Sequence, residues 1–215
     1  MDYSKFKQIV VGRRSIRKFE NKDVSTEDII ELIDCARFAP SDTNSQTWEF
    51  IVIKNKEKIK KIEEMTWDAI HEKAKQAVER GQEKPAKLLV KSFGPYATAF
   101  SGAPVLIICL ATPYVSKFRE KVFDPIELAT EEVWQEEGIK SSCLAVQNIL
   151  LAAHAKGLGS CPMTGPVLFA ESQLREYLQI PKEKTINMVV ALGFPKETPK
   201  QLSRKEITEI LHIIE

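Results

Sequence analysis

Two short apolar runs, residues 103–111 and 185–192, limit what this chain can fold into more than any other feature. Both are rich in β-branched side chains, have turn residues nearby and lack the apolar–polar alternation of a strand with one wet face. Strands of this kind are buried on two faces, which predicts that they form the centre of a sheet. At nine residues at most, and with Pro104 in the first run, neither can cross a membrane, which needs about twenty apolar residues. A third strand is predicted from Trp48 to about Lys54, a run rich in aromatic and β-branched residues.

Helical signals surround these strands. Tyr3, Phe6, Ile9 and Val10 recur at helical spacing up to Gly12. Ser25 with Asp28 reads as a capping box, followed by an apolar face of Ile29, Ile30, Leu32, Ile33 and Ala36 that stops at Pro40. A charged helix is expected over 56–80, and a buried one over 141–156 with Gly157 as its C-cap. Residues 203–214 place Ile207, Ile210, Leu211 and Ile214 at helical spacing, in a stretch too short to be stable unless it docks on something. Segment 112–140 mixes Tyr114, Phe118, Phe123 and Trp134 with many charges and reads as either a surface excursion or a lid. No repeat, low-complexity tract or Pro/Gly-rich linker divides the chain, so a single α+β domain over 1–215 is the expectation.

Composition excludes several functions. With 31 basic and 30 acidic residues the chain lacks the basic excess that binds a phosphate backbone, so no nucleic-acid partner is expected. The start MDYSKFKQIVVGRRS has no apolar run behind a basic region and no cleavage site, which with the absence of a membrane span predicts a cytoplasmic protein. Cys35, Cys109, Cys143 and Cys161 match neither a zinc site nor a redox pair and are expected to sit reduced in or beside the core. His71, His154 and His212 are scattered, so no metal site and no histidine triad is predicted.

Chemistry has to come from elsewhere, and the sequence offers several places. Arg13, Arg14 and Arg17 crowd around Ser15, and guanidinium groups repel one another unless an anion such as a phosphate ester joins them or acids such as Glu20 and Asp23 pair with them. Between a helix and a strand, residues 39–48 carry Ser41, Asp42, Thr43, Asn44, Ser45 and Gln46. Their donors and acceptors suit the edge of a flat heterocycle, although Ser, Asp, Thr and Asn also favour turns for backbone reasons. In residues 157–166, Gly157, Gly159, Pro162, Gly165 and Pro166 force an irregular backbone, either a rigid helix-to-helix connection or a place where bare amides meet a ligand. Arg204 is a further isolated cation.

Taken in this order, Arg-Arg-Ser-x-Arg, Ala-Pro-Ser-x-x-Asn-x-Gln-x-Trp-x-Phe, Gly-Leu-Gly-Ser-Cys and the late Gly-Phe-Pro followed by Arg204 resemble the nitroreductase family of FMN-dependent oxidoreductases over nearly the whole chain. The resemblance implies a central, mostly antiparallel sheet flanked by helices, in a homodimer that exchanges its C-terminal segments and holds FMN at the subunit interface. By position, Arg13, Arg14, Ser15 and Arg204 resemble contacts to the FMN phosphate and ribityl chain. Arg17 resembles the cation beside the N1 and C2 carbonyl edge, where charge collects on reduction. Ser41 and Asn44, with Asp42 and Gln46 less closely matched, resemble the loop that meets the flavin from the second subunit. Pro162, Met163, Thr164 and Gly165 fall where the family sets a backbone amide against flavin N5. Two positions depart from the family pattern: Pro162 stands where many relatives have an aromatic residue, and Thr47 where a proline is usual.

The activity implied is hydride transfer from transiently bound NADH or NADPH through flavin N5 to a small electron acceptor, a nitroaromatic, quinone or similar electron-poor ring, in a ping-pong cycle. No Rossmann fingerprint offers the nicotinamide nucleotide a domain of its own. No side chain has to act as nucleophile or acid–base catalyst, because the cofactor carries the chemistry. A flavin-sequestering protein without turnover, a specialised branch such as the reductive dehalogenases, and a site for some other anion are the competing readings.

Overall fold

The computed structural model describes residues 2–215. Its centre is a four-stranded sheet of β1 (Trp48–Ile53), β2 (Val105–Ala111), β3 (Gly159–Met163) and β4 (Thr185–Gly193) in the order β1-β2-β4-β3. Every neighbouring pair is antiparallel. The two predicted apolar runs supply the central strands β2 and β4, and every residue of β2 is buried. Alternation along β2 sends Leu106, Ile108 and Leu110 to one core cluster, with Val105, Ile107 and Cys109 in the other. Both faces are therefore dry, which is why the run carries no polar alternation.

Among the described residues seven α-helices flank the sheet: α1 (Tyr3–Gly12), α2 (Thr26–Ala36), α3 (Lys56–Glu79), α4 (Glu83–Leu88), α5 (Gly94–Ala97), α6 (Glu131–Ala155) and α7 (Gly165–Tyr177). One core cluster joins Leu106, Ile108 and Leu110 to Ile59 and Ile62 of α3 and Leu174 of α7. The other joins Val105 and Ile107 to Leu32 of α2 and to Ile149 and Ala153 of α6. The predicted start of α2 holds, with the Ser25 hydroxyl accepting from Asp28 N at 2.9 Å, and α1 has a cap the sequence reading did not name, Asp2 accepting from Ser4 N at 3.1 Å. Ile30 is an exception on α2, since it lies on the exposed side at 61%.

Four readings need correction. The helix expected over 141–156 begins at Glu131, so the last part of the presumed 112–140 excursion is helix α6. Its first turns carry Glu131 and Glu132, which suit a helix N-terminus but hide the apolar period used to find helices. The irregular turn expected over 157–166 contains a regular edge strand, β3, pairing Gly159 with Gly193 and Met163 with Val189. Residues 203–214 do not form an amphipathic helix: only Ile207–Glu209 makes a single 3₁₀ turn, and the whole stretch is exposed. Cys109 and Cys161 are buried, whereas Cys35 and Cys143 lie at the surface.

Candidate functional site

Chain geometry brings the arginine run and the glycine-rich segment together. Ser15 bridges Ser160 in parallel, and Ile16 N donates to Ser160 O at 3.0 Å, so residues 15–17 run along the free edge of β3. Gly159 makes this approach possible, since a Cβ there would lie 2.8 Å from Ile16 Cβ. Further along, Phe19 bridges Pro195, and one Glu197 carboxylate oxygen accepts from Arg17 N at 2.7 Å and Lys18 N at 3.1 Å. Residues 13–19 are thereby clamped between β3 and the chain that leaves β4.

The cations in this clamp lack carboxylate partners. Among the described residues no ion pair involves Arg13, Arg14, Arg17 or Arg204, and Glu20 and Asp23 do not pair with them. Arg13 closes the C-terminus of α1, and its Nη1 is buried without a hydrogen-bond partner. Burial, and then the nearby Arg14 and Arg204, hold its guanidinium below its ordinary pKa, while Cys161 acts in the opposite direction. Arg14 folds back, its Nη1 donating to Val11 O at 2.6 Å and Arg13 O at 2.8 Å. Arg204 donates only to Leu202 O and Ser203 O beside it in the chain, at 3.4 and 3.3 Å.

Sequence reasoning missed three residues here. Burial holds the Cys161 thiol above its ordinary pKa, although Arg17, the Ser15 hydroxyl and Arg13 act in the opposite direction. His154, on the last turn of α6, has its pKa lowered by burial and then by Arg13 and Arg14. It also abuts α1, since a Cβ on Gly12 would lie 2.8 Å from its Nε2. Tyr96 carries the Arg17 guanidinium over its ring at 5.4 Å. No sequence pattern links residues 17, 96, 154 and 161, because their proximity is purely tertiary. Gly12, Arg13, Arg14, His154, Gly159 and Glu197 are among the residues around a cavity of about 270 Å³.

β3 delivers Met163 and then Thr164, the N-cap of α7, to the same region. Gly165 packs directly against α5, where a Cβ would fall 2.6 Å from Ala97 Cα. The first amides of α7 have no acceptor within the helix, as at any helix N-terminus. Pro162 is half-buried on the edge strand, a position a proline can take without breaking a ladder bond.

The loop with Ser41, Asn44 and Gln46 lies elsewhere. It leads into Trp48, which pairs with Ala111, and Ala111 in turn pairs with Thr185 at the start of β4. Ser160 pairs with Leu192, near the opposite end of β4 and on the opposite sheet edge. Within one chain, the loop and the arginine cluster thus occupy diagonally opposed corners. The loop is tightly folded: Ser41 Oγ accepts from Gln46 N at 2.9 Å, and Thr43, Asn44 and Gln46 have φ of 45°, 59° and 49°. Asp42 and Asn44 bound a short 3₁₀ turn.

An antiparallel sheet covered by helices on both faces, with unpaired cations gathered along one edge, defines an α+β protein with an anion-friendly corner. The chain belongs to the Nitroreductase family, whose model matches residues 10–194. A putative NADH dehydrogenase/NAD(P)H nitroreductase from Methanothermobacter thermautotrophicus is 30% identical, over 89% of this chain and 78% of that one. Among solved structures, a BluB-like flavoprotein from Clostridium difficile is similar over 100% of both chains, with a TM-score of 0.83 and 29% identity. A nitroreductase with bound FMN from Bacteroides fragilis shares the fold at a TM-score of 0.69 and 19% identity, over 98% of this chain and 99% of that one. No helix among the described residues is long and apolar enough to cross a membrane.

Proposed function

We propose that this chain is an NAD(P)H-dependent FMN oxidoreductase, folded as a single domain and completed as a homodimer, that reduces small electron-poor acceptors such as nitroaromatics or quinones. One observation carries the reading: Arg13 presents a buried guanidinium nitrogen without a partner, next to Arg14 and Arg204 and with no carboxylate to neutralise the group. A partly buried cation with an unpartnered nitrogen carries a cost, and a phosphate ester is the ligand that planar, multidentate donors of this kind fit. Family membership and the likeness to a flavoprotein support FMN as that ester.

Arg13, Arg14, Ser15 and Arg204 would hold the phosphate and the ribityl chain. Gly159 lets residues 15–17 lie against β3, and the tight seat of Gly165 against Ala97 fixes the start of α7. Arg17, held from the backbone by Glu197 and flanked by Tyr96, would face the N1 and C2 edge with a fixed positive charge. Pro162 and Met163 would lie under the ring, with the backbone at Thr164 and Gly165 aimed at N5. Ser41, Asn44 and Gln46 would reach the ring from the second subunit, which accounts for their distance from Arg13 within one chain. When bound, FMN would supply the hydride chemistry that links NADH or NADPH to the acceptor. The chain's own task is to bind, orient and neutralise, and solvent can supply the protons.

The test is the visible spectrum of the purified protein after addition of FMN and desalting, followed by anaerobic NADH and then NADPH. Retained yellow flavin that bleaches with either nucleotide, and regains colour with a quinone, is the expected result. Retained flavin that never bleaches would reduce the role to flavin binding, and folded protein that keeps no flavin would remove the proposal.

A further inference from the structure

The loop that would reach the partner's flavin is held in a conformation its own residues resist. Thr43 is β-branched yet sits at φ 45°, and Asn44 and Gln46 are also left-handed. Such a backbone persists only where its surroundings over-determine it. At its end, Thr47 O accepts from Thr112 N at 2.9 Å and the Thr47 hydroxyl donates to Gly138 O at 3.2 Å. At its strained centre there is, among the described residues, a single side-chain hydrogen bond to the rest of the chain: Thr43 Oγ1 lies 3.1 Å from the Tyr114 hydroxyl.

Tyr114 is 1% exposed, and its hydroxyl also lies 2.6 Å from Ser116 Oγ. It belongs to a segment pinned by one guanidinium. Arg119 donates to Tyr114 O at 2.6 Å, to Asp124 at 3.1 Å and to Glu131 at 2.6 Å, and lies 5.0 Å above the Trp134 ring. Ser116 Oγ accepts from Arg119 N at 3.0 Å, so the Tyr114 hydroxyl is the junction between this pinned segment and the loop. The Tyr114 ring packs against Trp134, at 5.6 Å between centroids, whether or not its hydroxyl has a partner.

We propose that Tyr114 is a positioning residue that ties residues 114–131 to loop 41–46 through Thr43, so that the order of that segment sets the geometry of the loop at the flavin. The inference rests on the function proposed above. Phe118, Ile126 and Leu128 are exposed on the same segment at 55%, 65% and 55%. An apolar acceptor that orders them would therefore be felt at the loop through this one hydroxyl.

The test uses the full chain loaded with FMN, as wild type, Tyr114→Phe, Thr43→Val, the double variant and Arg119→Gln. Tyr114→Phe keeps the ring packing, and Thr43→Val keeps a β-branched side chain at the strained position. Each single change is expected to weaken FMN binding about fivefold, the scale of one lost hydrogen bond, and to speed amide exchange in residues 42–47. The bound-flavin spectrum should shift toward that of free FMN, with only the few-degree fall in melting temperature that one lost hydrogen bond brings. The double variant should be no worse than either single one, because both remove the same link. Arg119→Gln should speed exchange in residues 114–131 and in 42–47 together. Additive effects of the two single changes, unchanged exchange in residues 42–47 of Tyr114→Phe, or an Arg119→Gln effect confined to 114–131 would each overturn the inference. Wild-type protein that retains no FMN would overturn the proposed function and this inference with it, whereas FMN bound equally by wild type and both single variants would overturn this inference alone.

Discussion

Arg13 bears an electrostatic burden before any ligand arrives, since its buried Nη1 has no partner and its guanidinium is depressed by burial and by two neighbouring cations. An anion relieves that burden, so Arg13→Ala should cost about 10- to 100-fold in FMN affinity in a fluorescence titration, the range for hydrogen bonds to a charged group. Burial, and then Arg13 and Arg14, hold the folded pKa of His154 below the unfolded value of about 6.5. A depressed histidine leaves stability intact above that value and lowers it as pH falls, because the unfolded chain takes up the proton first. The flavin-free chain should therefore lose melting temperature between about pH 7 and pH 5 more steeply than His154→Gln does. Thr164 and Gly165 separate side chain from backbone. Thr164→Ala should leave FMN binding near wild type, while Gly165→Ala, whose Cβ would meet Ala97 Cα at 2.6 Å, should displace the start of α7 and weaken both flavin retention and stability. The arginines and glycines of this corner stand out in the sequence by type. Tyr96 and His154, which tune them, do not, because nothing in their local sequence marks them as neighbours, and Cys161 was legible only as the end of the Gly-Leu-Gly-Ser-Cys motif.

Elements were legible where packing imposes a period and obscure where it does not. β2 and β4 announced themselves because both of their faces are covered. The first turns of α6 did not, since Glu131, Glu132, Glu136 and Glu137 occupy its outer faces and the inward contacts fall on small or isolated residues such as Gly138. Gly138 lies against the backbone of Thr112, where a Cβ would sit 1.9 Å from the carbonyl oxygen. Gly138→Ala should therefore separate α6 from the end of β2 and lower stability by about 1–3 kcal/mol or more in urea unfolding, the scale of overpacking at a rigid contact. β3 was obscured for a related reason. Its glycine and proline read as a turn, yet Gly159 is there to let Ile16 approach, and an edge strand tolerates Pro162.

For the molecule as a whole, the chain in isolation displays both halves of the proposed flavin site at opposite corners and an apolar tail with no cover. Ile207 is 65% exposed, Ile210 62%, Ile213 74% and Ile214 95%, an apolar surface that the proposed homodimer would cover. A composite site makes a specific prediction about mixed dimers. Arg13→Ala and Asn44→Ala subunits should each be nearly inactive alone, because one loses the phosphate cation and the other the left-handed amide of the loop. Co-expressed in equal amounts, they should recover about a quarter of wild-type activity, since half of the dimers carry one intact site of two. Activity that stays at the level of the parents would place both halves of the site within one chain.

Local chemistry settled most of what could be read in advance. Two-sided apolar strands, capping residues and crowded guanidinium groups act over a few positions, so the central strands, the start of α2 and the anion-seeking arginines followed from residue type and spacing. Long-range packing settled the rest. The edge pairing of β3 with residues 15–17, the early start of α6, the link from Thr43 to Tyr114 and the separation of the loop from Arg13 all depend on which surfaces meet across the sheet. Burial energy is a property of those meetings and not of any short stretch of chain, so no local pattern records it.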